Sequence, residues 1–146
     1  MPLAQTLVLD TNNLAACWQD ALMPDLPSAI DNAPAVYVSH DEDANLGGAG
    51  GAIFVIGGHE PPPGPSRLVF RYDLATSTWE QFQIPQLVVP EPATGRRNQA
   101  AVFVPAQAVK GSSKGVPGLW TFGGNIGFTA QIMTNTSEYY AIINNP

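Results

Sequence analysis

The 146-residue chain carries twelve acidic against six basic side chains, a formal net charge of -6, and its few basic residues form no stripe that would hold nucleic acid or another acidic polyelectrolyte. No run of about 18 apolar residues occurs, and Met1-Pro-Leu-Ala-Gln5 lacks the charged start and apolar centre of a signal peptide, so a soluble chain without a membrane span is expected. The single cysteine, Cys17, excludes an intrachain disulfide.

From the N-terminus, Thr6-Leu-Val-Leu-Asp10 reads as a short strand and Thr11-Asn-Asn13 as a turn. Trp18 to Met23 reads as a second strand, and Cys17 beside it is expected to be a small buried apolar residue, as free cysteines usually are. Apolar runs then predict strands near 33–38, 52–57, 67–73 and 78–83, and a further set near 98–104, 118–123 and 136–143.

The two sets are copies. Ala52-Ile-Phe-Val-Ile-Gly-Gly58 and Gly118-Leu-Trp-Thr-Phe-Gly-Gly124 are each a five-residue run closed by a diglycine, where glycine can leave the strand at positive φ. Gly57 to Gly123 is 66 residues, and the same offset carries Ala33-Pro-Ala-Val-Tyr-Val38 onto Gln99-Ala-Ala-Val-Phe-Val104. Val69-Phe-Arg-Tyr-Asp73 has a looser counterpart in Thr136-Ser-Glu-Tyr-Tyr140, displaced by one more residue, and Trp79 has one in Trp18. An internal repeat decides the architecture before any single propensity does.

The order of small residues and Val, apolar run, Gly-Gly, variable loop, Tyr-Asp and, six positions after the Asp, Trp resembles the kelch motif, with Phe54 to Gly58 and Val69 to Trp79 carrying the match. The resemblance covers roughly Trp18 to Ile143 and implies an all-β fold of four-stranded antiparallel blades of a β-propeller, about two per chain. Residues 1–23 would then supply outer strands of an incomplete blade, 24–84 the first blade, and 85–146 a second blade lacking its last strand. Gly57, Gly58, Gly123, Gly124, Tyr72, Tyr139, Trp18 and Trp79 take structural roles in this scheme, and the tryptophans, Trp120 included, are expected to fill spaces between blades.

The up-and-down strand path sorts the loops onto two faces. Gly58 to Ser66, Gln86 to Arg97 and Asn125 to Gln131 share one face. His40 to Gly51, and Gln107 to Pro117 with Lys110 and Lys114, share the other. Loops held by a rigid scaffold are where function usually resides, and His59, Glu60, Arg67, Arg96, Arg97 and Asn125 on the first face are the candidate binding residues. Arg97 suits bidentate recognition of a carboxylate or hydroxyls, although an Asp31–Arg97 contact between blades is the plainer reading. The stiff Pro61 to Pro65 segment reads as a connector. Asp41, Asp43 and Asn45 offer oxygen ligands of the kind calcium accepts, but the spacing matches no complete calcium loop, and a solvated loop is the favoured reading. His40 and His59 fall on opposite faces and cannot share a metal. The Cys and Tyr inventory lacks the spacing of a copper oxidase, so no cofactor is expected.

The leading expectation is a non-enzymatic module that binds protein or glycan through the first face. A subunit that associates with itself into a ring or filament, and a piece of a sugar-active enzyme, are the alternatives. Whether missing blades or other copies complete the propeller stays open at this stage. Abundant Pro, Gly, Thr and Asn with scarce Lys leans extracellular, and Asn135-Thr-Ser137 is a glycosylation sequon that matters only in a eukaryotic secretory setting.

Overall fold

A computed structural model of the chain describes residues 4–19, 23–60, 64–82, 95–105, 117–127 and 132–141. The residues expected as strand at 20–22, 83 and 142–143, the prolines 61–63, and most of the 86–97 and 107–117 loops with Lys110 and Lys114 lie outside these segments.

The described residues are almost entirely β. Strand β1 (Val8–Leu9) pairs antiparallel with β2 (Trp18–Gln19). Strands β3 (Ala35–Val38), β4 (Ala52–Ile56), β7 (Val69–Asp73) and β8 (Thr78–Phe82) make a four-stranded antiparallel sheet in that spatial order. Two short strands, β5 (His59–Glu60) and β6 (Gly64–Pro65), form a small hairpin above it. Strands β9 (Ala100–Val104), β10 (Gly118–Phe122) and β11 (Ser137–Ala141) make a three-stranded sheet, with β10 in the middle. The up-and-down order is that of kelch-type blades, and the described residues form two such sheets without a closed ring.

The 66-residue repeat holds at the level of register. Ala52 faces Val38 and Phe54 faces Val36, as Gly118 faces Val104 and Trp120 faces Val102. Backbone dihedrals repeat as well: Gly57 and Gly58 have φ of 64° and 95°, Gly123 and Gly124 have 62° and 95°, and Asn32 and Asn98 both have 56°. These are left-handed conformations that glycine and asparagine adopt at least cost. The third strands differ from expectation. Asp73 pairs with Ala52, and Ala141 with Gly118, so the offset there is 68 and Tyr140, not Tyr139, takes the register position of Tyr72. The loop before β11 is longer by two residues, and a slip of one would have turned the strand over.

The core lies between the sheets. Val36, Val38, Ala52, Phe54, Ile56 and Val69 from the first sheet are buried together with Leu119 of the second, and Ala101 and Phe103 pack against them. Burying each large apolar side chain of this kind contributes about 1.5–3 kcal/mol. Leu46 joins the cluster from a single helical turn, α1 (Ala44–Gly47), in the stretch read from the sequence as a solvated loop. The turn forms because the Asp43 carboxylate accepts from the Leu46 amide at 3.1 Å.

Three aromatic and sulfur expectations are corrected. Cys17 is exposed, in a left-handed conformation (φ 56°) that ends a 3-10 turn at Leu14–Ala16. Trp18 is 63% exposed and fills no space between sheets. Trp120 is also exposed and stacks on Phe122, with ring centroids 5.4 Å apart. The Trp79 ring packs within its own sheet, its centroid 4.9 Å from that of Tyr72, and its indole N–H donates to the Pro24 carbonyl at 2.8 Å.

Candidate functional site

One rim of the molecule gathers the start of β3, the β4–β7 connection, the start of β9 and the β10–β11 connection. Each sheet closes its rim by the same backbone ladder. Asp31 and His59 exchange N–H···O bonds of 2.8 and 3.2 Å, and Arg97 and Asn125 exchange theirs at 2.9 and 3.2 Å. Gly57 N–H donates to the Leu68 carbonyl at 2.8 Å, as Gly123 does to Thr136 at 3.0 Å. The sheets are then stitched together by Gly58 N–H to Arg96 O at 2.7 Å, Arg96 N–H to Ser66 O at 3.2 Å and Asn98 N–H to Asn32 O at 2.9 Å. Gln99 adds a buried side-chain bond from Nε2 to the Ile56 carbonyl at 2.8 Å. The rim is therefore a fixed backbone frame.

The six candidate binding residues divide on this frame. Arg96 is buried, and its guanidinium donates to the carbonyls of Gly123 and Thr136 and to the Thr136 hydroxyl, at 2.8 to 3.0 Å. Its backbone holds the first sheet and its side chain the second, so it is a rivet. Asn125 is buried too, with its side-chain oxygen accepting from the amides of Gly127 and Ile132. The Glu60 carboxylate accepts from the hydroxyls of Ser28 (2.6 Å) and Ser66 (3.3 Å). His59 is half-buried, its Nδ1 lying 3.5 Å from Asp31 Oδ1. Arg67 is exposed, and Arg97 is half-buried with an Nε that has no hydrogen-bond partner. The expected Asp31–Arg97 contact does not form. Asp31 is turned instead to His59 and to the side-chain Nδ2 of Asn32, which donates to it at 2.9 Å.

The fourth arginine went unnoticed in the sequence. Arg71, buried on β7, donates from Nε to the Leu46 carbonyl (2.9 Å), from Nη1 to Glu80 (3.0 Å) and from Nη2 to Asp73 (2.9 Å). Gly48 must lie beside this knot, since a Cβ there would come within 2.8 Å of Arg71 Nη2. An arginine in an apolar run, followed two residues later by Asp, was the available signal. The Asp73 carboxyl is held below its ordinary range chiefly by the Thr76 amide, with Ala75 and the Arg71 guanidinium adding to it against the cost of burial.

On the opposite rim, the loop that offered Asp41, Asp43 and Asn45 to calcium is organised locally. Asp43 caps Leu46, and the Glu42 carboxylate accepts from the Ser39 amide and hydroxyl, both at 2.9 Å, which lowers its pKa, the backbone bond most of all. His40 Nδ1 lies 2.7 Å from the Gly48 carbonyl. Among the described residues no three His, Cys, Asp or Glu side chains converge as a metal group, and no helix is long and apolar enough to cross a membrane.

No curated protein matches the chain. A family model described as the Kelch motif does match, over residues 44–85. That stretch runs from α1 through the diglycine and the Tyr72–Trp79 pair to the end of the fourth strand, so the last three strands of the first sheet carry a kelch motif.

Proposed function

We propose that the chain is a non-enzymatic protein-binding module that meets its ligand on the rim carrying His59, Arg67 and Arg97. Kelch blades commonly serve as protein-binding scaffolds, and a rim tied down by backbone bonds presents side chains at little ordering cost. The observation that carries the reading is the division of the four arginines. Arg71 and Arg96 each spend their guanidinium inside the protein. Among the described residues, the side chains of Arg67 and Arg97 have no hydrogen-bond or ion-pair partner, and both flank the diglycine rim. An unengaged guanidinium on a rigid frame suits carboxylates and backbone carbonyls of another chain, and arginine is among the residues that dominate interface energetics.

The test selects peptides from a display library on the immobilised chain, with a glycan array run in parallel. Peptides enriched in Asp or Glu should emerge, and Arg67→Ala or Arg97→Ala should weaken their binding at least tenfold without moving the melting temperature. Selected peptides indifferent to both substitutions would remove the rim from the reading. Glycan binding lost in the same variants would replace protein by carbohydrate as the ligand.

A further inference from the structure

The two sheets share a template but not a burial pattern. On the first, Val36, Val38, Phe54 and Ile56 are buried beneath the second sheet. Their equivalents 66 residues on are Val102, Val104, Trp120 and Phe122. Of these, Val102 is 45%, Trp120 39% and Phe122 43% exposed. Alternation along a strand puts these side chains opposite Leu119, Ala101 and Phe103, which cover the first sheet.

The rim shows the same open seat. A Cβ on Gly57 would come within 2.6 Å of both Arg96 O and Gln99 Nε2, atoms supplied by the following sheet. At Gly123, with nearly the same φ, the nearest atom among the described residues is Thr134 O of its own loop, at 3.4 Å. The Gly58 amide donates to Arg96 O, whereas the Gly124 amide has no such acceptor among the described residues. Apolar face and backbone donor are thus both left over at the place where a following sheet sits in the first repeat.

A surface that fits this seat is present in the same chain. Leu119, Ala101 and Phe103 correspond, at the 66-residue offset, to Ile53, Ala35 and Tyr37 on the first sheet. Of these, Tyr37 is 55% exposed, Ala35 is exposed and Ile53 half-exposed. We infer that the exposed face of β9–β10 docks the Ala35–Tyr37–Ile53 face of a second copy of this chain, repeating between molecules the sheet-on-sheet contact made within one. The contact is heterologous, two different surfaces meeting head to tail, and so is open to further addition. It is confined to the inner strands. Leu9 faces Trp18 as Tyr72 faces Trp79, so β1 and β11 both stand in third-strand positions and cannot occupy one place. The inference is independent of the ligand proposed for the rim.

Light scattering behind a sizing column, over roughly 1–500 µM, reads the association expected of a contact confined to the inner strands. The mass should rise with concentration from one chain to two and beyond. Trp120→Glu and Tyr37→Glu should each hold the chain at single mass with an unchanged melting temperature. An equimolar mixture of the two variants should recover a two-chain species and nothing larger, because only one good pair of faces remains. A wild-type chain that stays single, a mixture that fails to pair, or association lost in Trp120→Glu but kept in Tyr37→Glu would each overturn the inference. Should either variant fail to fold, Val102→Glu and Ala35→Glu carry the same charges to neighbouring points of the two faces.

Discussion

The first and second sheets are nearly the same object in two environments. Strand register, diglycine dihedrals and rim bonds coincide between them. Among the described residues a neighbouring sheet covers the face of the first that carries Phe54, whereas the second leaves Trp120 exposed on the equivalent face. Backbone geometry is thus set within each repeat, while the energetic weight of a side chain is set by the next one. Phe54→Ala should lower stability by about 3–5 kcal/mol, the usual cost of emptying a buried aromatic site. Trp120→Ala at the equivalent point should cost under about 1 kcal/mol. Urea unfolding of dilute protein reads both, and equal losses would mean that the second face is covered in solution.

The diglycines sharpen the contrast. Alanine at Gly57 must bear both a positive φ and a Cβ within 2.6 Å of Arg96 O, and at Gly123 the conformation alone, with 3.4 Å of room. The left-handed conformation costs about 1–2 kcal/mol in each, and the clash should add at least that much again for Gly57→Ala. Arg96→Ala should fall in a similar range, about 2–3 kcal/mol, since it removes the part-buried bonds to the Gly123 carbonyl and to the carbonyl and hydroxyl of Thr136. Arg97→Ala should stay within about 0.5 kcal/mol. Thermal melts of the four variants would rank them, and an Arg97 loss matching that of Arg96 would deny Arg97 its freedom to meet a ligand.

These pairs also show what the sequence could reveal. The diglycines were legible because a left-handed exit from a strand is a local requirement that few residues meet. The strand order followed from the repeat, and Trp79 from its place after Tyr72. Other features depend on partners distant in the chain. Arg96 and Arg97 are adjacent and chemically identical, and only the position of Thr136 decides which one turns inward. The Tyr139-Tyr140 pair left the third-strand offset ambiguous by one, which loop length resolves at 68. Trp18 and Trp120 were read as fillers because their repeat positions demand it, but a repeat position confers burial only where a neighbour exists. The cap that Asp43 makes for α1, and the Arg71 bond that holds it, arise from a loop whose glycines suggested no structure.

A further contrast separates the sheets by pH. Asp73 Oδ1 accepts from the Ala75 and Thr76 amides at 2.9 and 3.0 Å, and Oδ2 from Arg71 at 2.9 Å. Its register equivalent in the second sheet is Ala141, which cannot titrate. Because the folded state holds this carboxyl below its ordinary value of 3.8, the stabilisation is fully present above that value. It is lost as the pH falls through the lower, folded value, where protonation removes the acceptor that organises the turn. Glu42 acts in the same direction through Ser39. Asp73→Asn should therefore lower stability at neutral pH by about 1 kcal/mol and flatten the acid limb of the stability curve. Hydrogen exchange gives the local reading. As the pH falls from neutral through the lowered, folded value, the Ala75 and Thr76 amides should lose protection relative to the Gly123 amide in the wild type, and the three should change together in Asp73→Asn. A parallel loss in the wild type would place the acid-sensitive group elsewhere than in the turn of the first sheet.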